Sequence, residues 1–180
     1  MRLYALTVRE TWKALGVGVA TALILSAIML PAFRFGIAPM PKQPSLAFAE
    51  TLFGAPLPLP VGLLFHVAYV TFWSVVYIAL FRDRLTFLNA LWVGLFLWVV
   101  ILVVFFPFIG WGFLGMAIGS KLIPGSLVPH LLFAAVLWGL CRVVFLERKF
   151  SSQPESEENR KLRHVGSGLH SLNCYCVAAL

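Results

Sequence analysis

The chain has 180 residues, 61% of them apolar and 12% charged, with a mean hydropathy of +0.92 and a formal net charge of +7. Soluble domains carry about 25% charged residues, so this chain cannot coat a water-soluble globule and reads as an integral membrane protein. A soluble enzyme, a disordered chain and a disulfide scaffold are excluded, and so is a nucleic-acid role for the positive charge.

A crossing helix needs roughly 20 apolar residues to span a hydrocarbon core about 30 Å thick. Four long stretches lack Asp, Glu, Lys and Arg: Ala14–Phe33, Thr51–Phe81, Leu85–Ser120 and Leu122–Cys141. The first is one span, with Pro31 near its end. Its length exceeds the short apolar region of a signal peptide and it lacks a small-x-small exit, so it reads as a retained helix. In the second, Pro56, Pro58 and Pro60 confine the helix to 61–81. In the third, Pro107 and the glycines after it leave a span over 86–106 and a Gly-rich connection. The fourth span is expected over 129–145, with Pro129 in its first turn. The fold class is therefore all-α, a four-span bundle.

Four spans put both termini on one side. That side holds Arg2, Arg9, Lys13, Arg82, Arg84, Arg142, Arg148, Lys149, Arg160, Lys161 and Arg163, which is 11 of the 14 basic residues. Only Arg34, Lys42 and Lys121 fall on the other. The excess of Lys and Arg marks the cytoplasmic face, so both termini are expected inside.

Spans two and three are separated only by Arg82-Asp83-Arg84-Leu85, which demands an antiparallel hairpin. The first outer connection is Pro-rich and encloses Ser45–Phe53, a short interfacial helix that Ser45 would N-cap and Gly54 would end. The second, Pro107–Val128, is apolar and Gly-rich and is expected to pack over the outer mouth. A re-entrant loop is its alternative. The segment 147–180 reads as a disordered cytoplasmic tail.

Small residues allow the close approach that holds membrane helices together. Gly18, Ala22 and Ser26 share one face of span one, and Ala134, Ala135 and Gly139 recur in span four. In span two, His66, Tyr69, Val70, Trp73 and Tyr77 form one helical stripe. Its polar handles would go unpaired in lipid, so it should face protein. It is either an aromatic packing seam or the wall of a cofactor or lipid-headgroup site.

No ionic side chain lies in the middle of a span, which disfavours ion-coupled transport. Two histidines remain, His66 near the outer end of span two and His130 at the outer start of span four. They either hydrogen-bond loop carbonyls or serve as the axial ligands of a haem b or a metal, with Arg34, Lys121 and Glu50 near the same mouth. Tyr69 and Trp73 would then wall the pocket. Cys141 lies at the inner end of span four, and His170, Cys174 and Cys176 lie in the tail, so no outward-facing cysteine pair exists for quinone-linked disulfide chemistry.

The pattern Gly54-Ala55-Pro56, Gly62 with His66, Gly110-Trp111-Gly112-Phe113-Leu114-Gly115, and Pro129-His130 with Gly139 resembles a group of short bacterial inner-membrane proteins classed as a domain of unknown function. The resemblance covers 14–146. It implies a four-helix bundle in a bacterial inner membrane, and it implies no reaction. The leading expectation is a non-enzymatic membrane protein of structural or accessory role, partnered by the bilayer and by itself or other membrane subunits. A haem- or metal-binding electron-transfer protein and an oligomeric passive pore are the alternatives.

Overall fold

The computed structural model describes residues 6–82 and 84–151. They are all-helical, with no strand among the described residues. Four helical segments are long and apolar enough to cross a membrane: Val8–Arg34, Leu59–Phe81, Phe87–Phe108 and Leu122–Phe145.

Helix α1 (Val8–Arg34) starts six residues before the expected 14. A capping box sets that start. The Thr7 backbone N–H donates to Glu10 Oε2 at 2.9 Å, while the Thr7 side chain faces the first turn. The apolar run marks only the lipid-embedded part of a helix whose first turns are polar. Helix α2 (Pro44–Phe53) also differs at its start. Gln43, not Ser45, is the N-cap residue, because Pro44 takes the first helical position, where its missing N–H costs nothing. Gly54 closes α2 at φ +67°, a left-handed conformation natural to glycine.

Helix α3 (Leu59–Phe81) begins behind Pro58. Helix α4 (Phe87–Val100) begins behind Thr86, whose hydroxyl accepts the Asn89 N–H at 3.3 Å. Pro107 does not stop this span. It cannot give an N–H to the Val103 carbonyl, and the helix widens over Ile101–Phe105 into a π turn, in which the Phe106 N–H reaches the Ile101 carbonyl. The span then runs on through α5 (Phe106–Phe108).

Helix α6 (Leu122–Ser151) starts seven residues before the expected 129, and Pro129 lies inside it. The early start is possible because Pro124 falls in the first turn, where N–H groups have no helical partner. The α6 helix outlasts the expected 145 and ends at Ser151, so the first residues of the expected tail are helical. The rest of that tail, with His170, Cys174 and Cys176, lies outside the described residues.

The spans run antiparallel in chain order. Glu10 pairs with Arg82 at 2.5 Å while Gly18 meets Thr71, so α1 descends as α3 rises. Tyr77 Oη donates to the Thr86 carbonyl, Trp73 stacks edge-on to Phe96, and Tyr69 does so with Phe105, an ordered march along α3 and the next span. Phe87 meets Trp138, Gly94 meets the His130 carbonyl, and Trp98 Nε1 donates to the Ile123 carbonyl and Ser126 Oγ, so that span and α6 are antiparallel too.

Glycine sets how closely these elements pack. A Cβ at Gly18 would stand 2.7 Å from Thr71 Cα, and one at Gly62 2.6 Å from Leu46 Cβ. The stripe of small residues in α1 is thus a seam within the chain: Gly18 and Ala22 are buried. In α6 the same pattern is only partly used, with Ala134 buried and nothing within 4 Å of a Cβ at Gly139. The connection after α5 folds back on the helix ends. Trp111 is buried with Phe106, Leu122 and Ala47, and Gly110, Gly112 and Gly115 each take a φ of +78° to make the turns.

Candidate functional site

All four spans, α2 and the 35–43 connection surround one cavity of about 470 Å³. That volume is typical of small-molecule sites, which run from about 300 to 1,000 Å³. Leu25, Met29 and Phe33 come from α1, Val70 from α3, Ile101 and Phe105 from the π turn, and Phe133 from α6. The π turn thus shapes the wall directly. Ile37 and Val128, both on the rim, are 75% and 51% exposed, so the cavity opens on that side.

His66, Tyr69, Trp73 and His130, the residues singled out by the sequence, all reach this wall. The stripe on α3 divides. Its first four members line the cavity, and Tyr77 is fully buried beyond it, bonded to Thr86. The aromatic rings support one another: Tyr69 and Trp73 meet edge-on at 6.4 Å, and Phe72 meets Trp73 at 5.3 Å.

His130 Nδ1 lies 2.7 Å from the Ser126 carbonyl. A carbonyl only accepts, so the proton sits on Nδ1 and Nε2 carries a lone pair. His66 Nε2 is buried without a hydrogen-bond partner, as are Gln43 Oε1 and Ser45 Oγ, and all three residues belong to the wall. Buried polar groups are normally paired, so three orphans on one cavity are unusual. Pro129, also on the wall, has no N–H to give the Gly125 carbonyl.

These groups are spread along the wall: His130 lies against Gly94, close to the level of Trp73, which meets Phe96. Gly125 packs against the Pro39 ring, which brings the 39–45 segment onto the start of α6. Leu46 lies on Gly62, one helical turn before His66. Trp73 is seven residues farther along α3, about 10 Å deeper at 1.5 Å per residue. The cavity wall is therefore mostly apolar, with a few polar residues distributed along it.

The ionic residues expected near this mouth are not on the wall. Arg34, Lys121 and Glu50 do not line it, and the lining holds no Asp, Glu, Lys or Arg at all. Glu50 is engaged by Lys42 Nζ at 2.5 Å, an interaction that lowers its carboxyl pKa from the ordinary 4.5; the Leu57 N–H lowers it further, against a partial desolvation. Haem carboxylates would find no counter-charge in this wall. Among the described residues no group of three or more His, Cys, Asp or Glu side chains could hold a metal ion. Cys141 is buried in α6 as a free thiol.

Sequence reasoning found the imidazoles and missed Gln43, Ser45 and Gly125. Ser45 was read as a cap, which would have used its hydroxyl. The Gly125–Pro129 spacing of four was a legible signal, because a proline always strips the carbonyl four residues before it of a helical donor.

Comparison with protein-family models, with curated proteins and with solved structures gives no match.

Proposed function

We propose that this chain is a non-enzymatic membrane protein whose intramembrane cavity takes up an uncharged, mostly apolar guest from the bilayer. The observation that carries the reading is the wall itself: contributed by all four spans, mostly apolar and free of ionic side chains. A cavity needed only for packing would be filled, since voids cost stability. The protein serves as an accessory component, alone as an oligomer or within a larger membrane complex. In this reading the four spans form a bundle in a bacterial inner membrane, with both termini cytoplasmic. Helix α2 and the Gly-rich connection then lie at the outer face, and the cavity opens there. The distribution of Lys and Arg and the resemblance to short inner-membrane proteins support that placement.

The test is extraction. Protein purified in mild detergent and washed is extracted with organic solvent and the extract is analysed by mass spectrometry. About one neutral apolar molecule per chain is expected, in line with one cavity of drug-like size. A Met29→Trp variant, which adds bulk to the cavity wall, should lose it. Equal retention by both proteins would overturn the reading. A second reading, axial ligation of haem b, is favoured by one observation: the imidazole-bearing residues His66 and His130 belong to the same wall. It predicts a Soret band in the same preparation.

A further inference from the structure

We propose that the exposed face of α1, over its first four turns, binds an anionic phospholipid, one whose phosphodiester carries no compensating ammonium. The site begins with two cations. Arg9 and Lys13 stand four residues apart, so their side chains are neighbours on the helix surface. Arg9 is exposed and Lys13 half-buried, and neither forms an ion pair among the described residues. Glu10, which lies between them in sequence, is engaged by Arg82 and by the Thr7 cap. Like charges one turn apart repel, and an anion set between them relieves that cost.

Beyond the cations the same face is apolar and open. Trp12, Val19 and Leu23 are 71%, 39% and 58% exposed, and with Gly16 they fall on one helical stripe. The contacts of α1 with α3 run through Glu10 and Gly18, on the other side of the helix. Gly16 adds a second observation. The glycines at 18, 62 and 94 each admit a neighbouring element, but a Cβ at Gly16 meets nothing within 4 Å. Glycine in a helix is a handicap, and no contact within the chain accounts for it here. It leaves a shallow notch one turn beyond Trp12, where a lipid chain can lie beside the ring.

Tryptophan favours the membrane–water boundary, and basic side chains there reach out toward the charged headgroups. The order along α1 thus matches that of a phospholipid: cations for the phosphate, a ring at the boundary, and an apolar stripe for the chain. A free phosphate ion would use the cations and leave the stripe idle. A zwitterionic lipid brings an ammonium that the same cations repel.

The experiment places the full chain in vesicles of phosphatidylcholine and compares two probes with identical brominated chains, phosphatidylglycerol and phosphatidylcholine. Bromine quenches indole emission on contact, and the difference between the parent and a Trp12→Phe variant isolates Trp12. Each cation close to an anionic lipid contributes about fivefold, so the glycerol probe should quench Trp12 at roughly 25-fold lower mole fraction than the choline probe. Arg9→Gln and Lys13→Gln should each remove about fivefold of that preference. Neither side chain is buried, so neither change threatens the fold. Arg34→Gln, the same loss of charge at the other end of α1, should leave the preference intact. Equal quenching by the two probes would overturn the proposal. So would a preference that survives both substitutions, or one that Arg34→Gln reduces as much.

Discussion

Gly16 and Gly18 stand two residues apart in α1 and should respond in opposite ways to the same substitution. A Cβ added at Gly16 meets nothing within 4 Å. Alanine there removes the entropic handicap of glycine in a helix, about 0.8–1.0 kcal/mol, and stabilises by up to that amount. A Cβ at Gly18 would stand 2.7 Å from Thr71 Cα and 3.0 Å from Thr71 Cγ2. The nearer contact is backbone, so no side-chain rotation relieves it, and α1 and α3 must separate. Overpacking of this kind costs about 1–3 kcal/mol, which outweighs or cancels the helix gain. Gly18→Ala should therefore be less stable than Gly16→Ala by about 1–3 kcal/mol, a factor of roughly 5 to 150 in the folding equilibrium. Reversible unfolding of the two variants in mixed micelles, titrated with a denaturing detergent and followed by circular dichroism, measures the difference. Equal stabilities, or a more stable Gly18→Ala, would refute the close approach of α1 to α3.

Two further outcomes are expected. Lys42 holds the Glu50 carboxyl below its ordinary 4.5, so the pair contributes stability above that pH, and the contribution is lost as the pH falls toward the lowered value. Acid unfolding curves should show this loss in the parent and a shallower one in Lys42→Met; parallel curves would remove the pair from the account. Orientation is tested by single cysteines in a background with Cys141, Cys174 and Cys176 replaced. Labelling from outside at position 42 or 121, with none at 83, is expected, and the reverse pattern would invert the proposed topology.

How far the site could be read from sequence is instructive at His66 and His130. Both stood out because polar rings are rare inside apolar runs, and both line the cavity. What they share there could not be read, because it depends on which helix faces which. The ionic residues placed near the same mouth, Arg34, Lys121 and Glu50, lie off the wall, and Glu50 is taken by Lys42, eight residues away in sequence. Proximity along the chain to a span end says nothing about which way a side chain turns. Gln43 and Ser45 reach the wall only because Pro39 lies against Gly125, a contact between segments more than eighty residues apart.

The number and rough position of the spans were decided by the sequence alone. Burial of backbone in lipid forces helices, and about 20 apolar residues per crossing leave little freedom in where they fall. The helix ends were not decided that way. Thr7 with Glu10 extends α1 beyond the apolar run, the π turn carries the third span past Pro107, and Pro124 rather than Pro129 occupies the first turn of α6. Only the tertiary structure decided that glycines at 18, 62, 94 and 125 would set the spacing between elements. It alone decided that the spans leave a cavity among them. Hydropathy registers how much of a helix is apolar; the shape of the space between helices depends on which small residues meet, and that is a property of pairs.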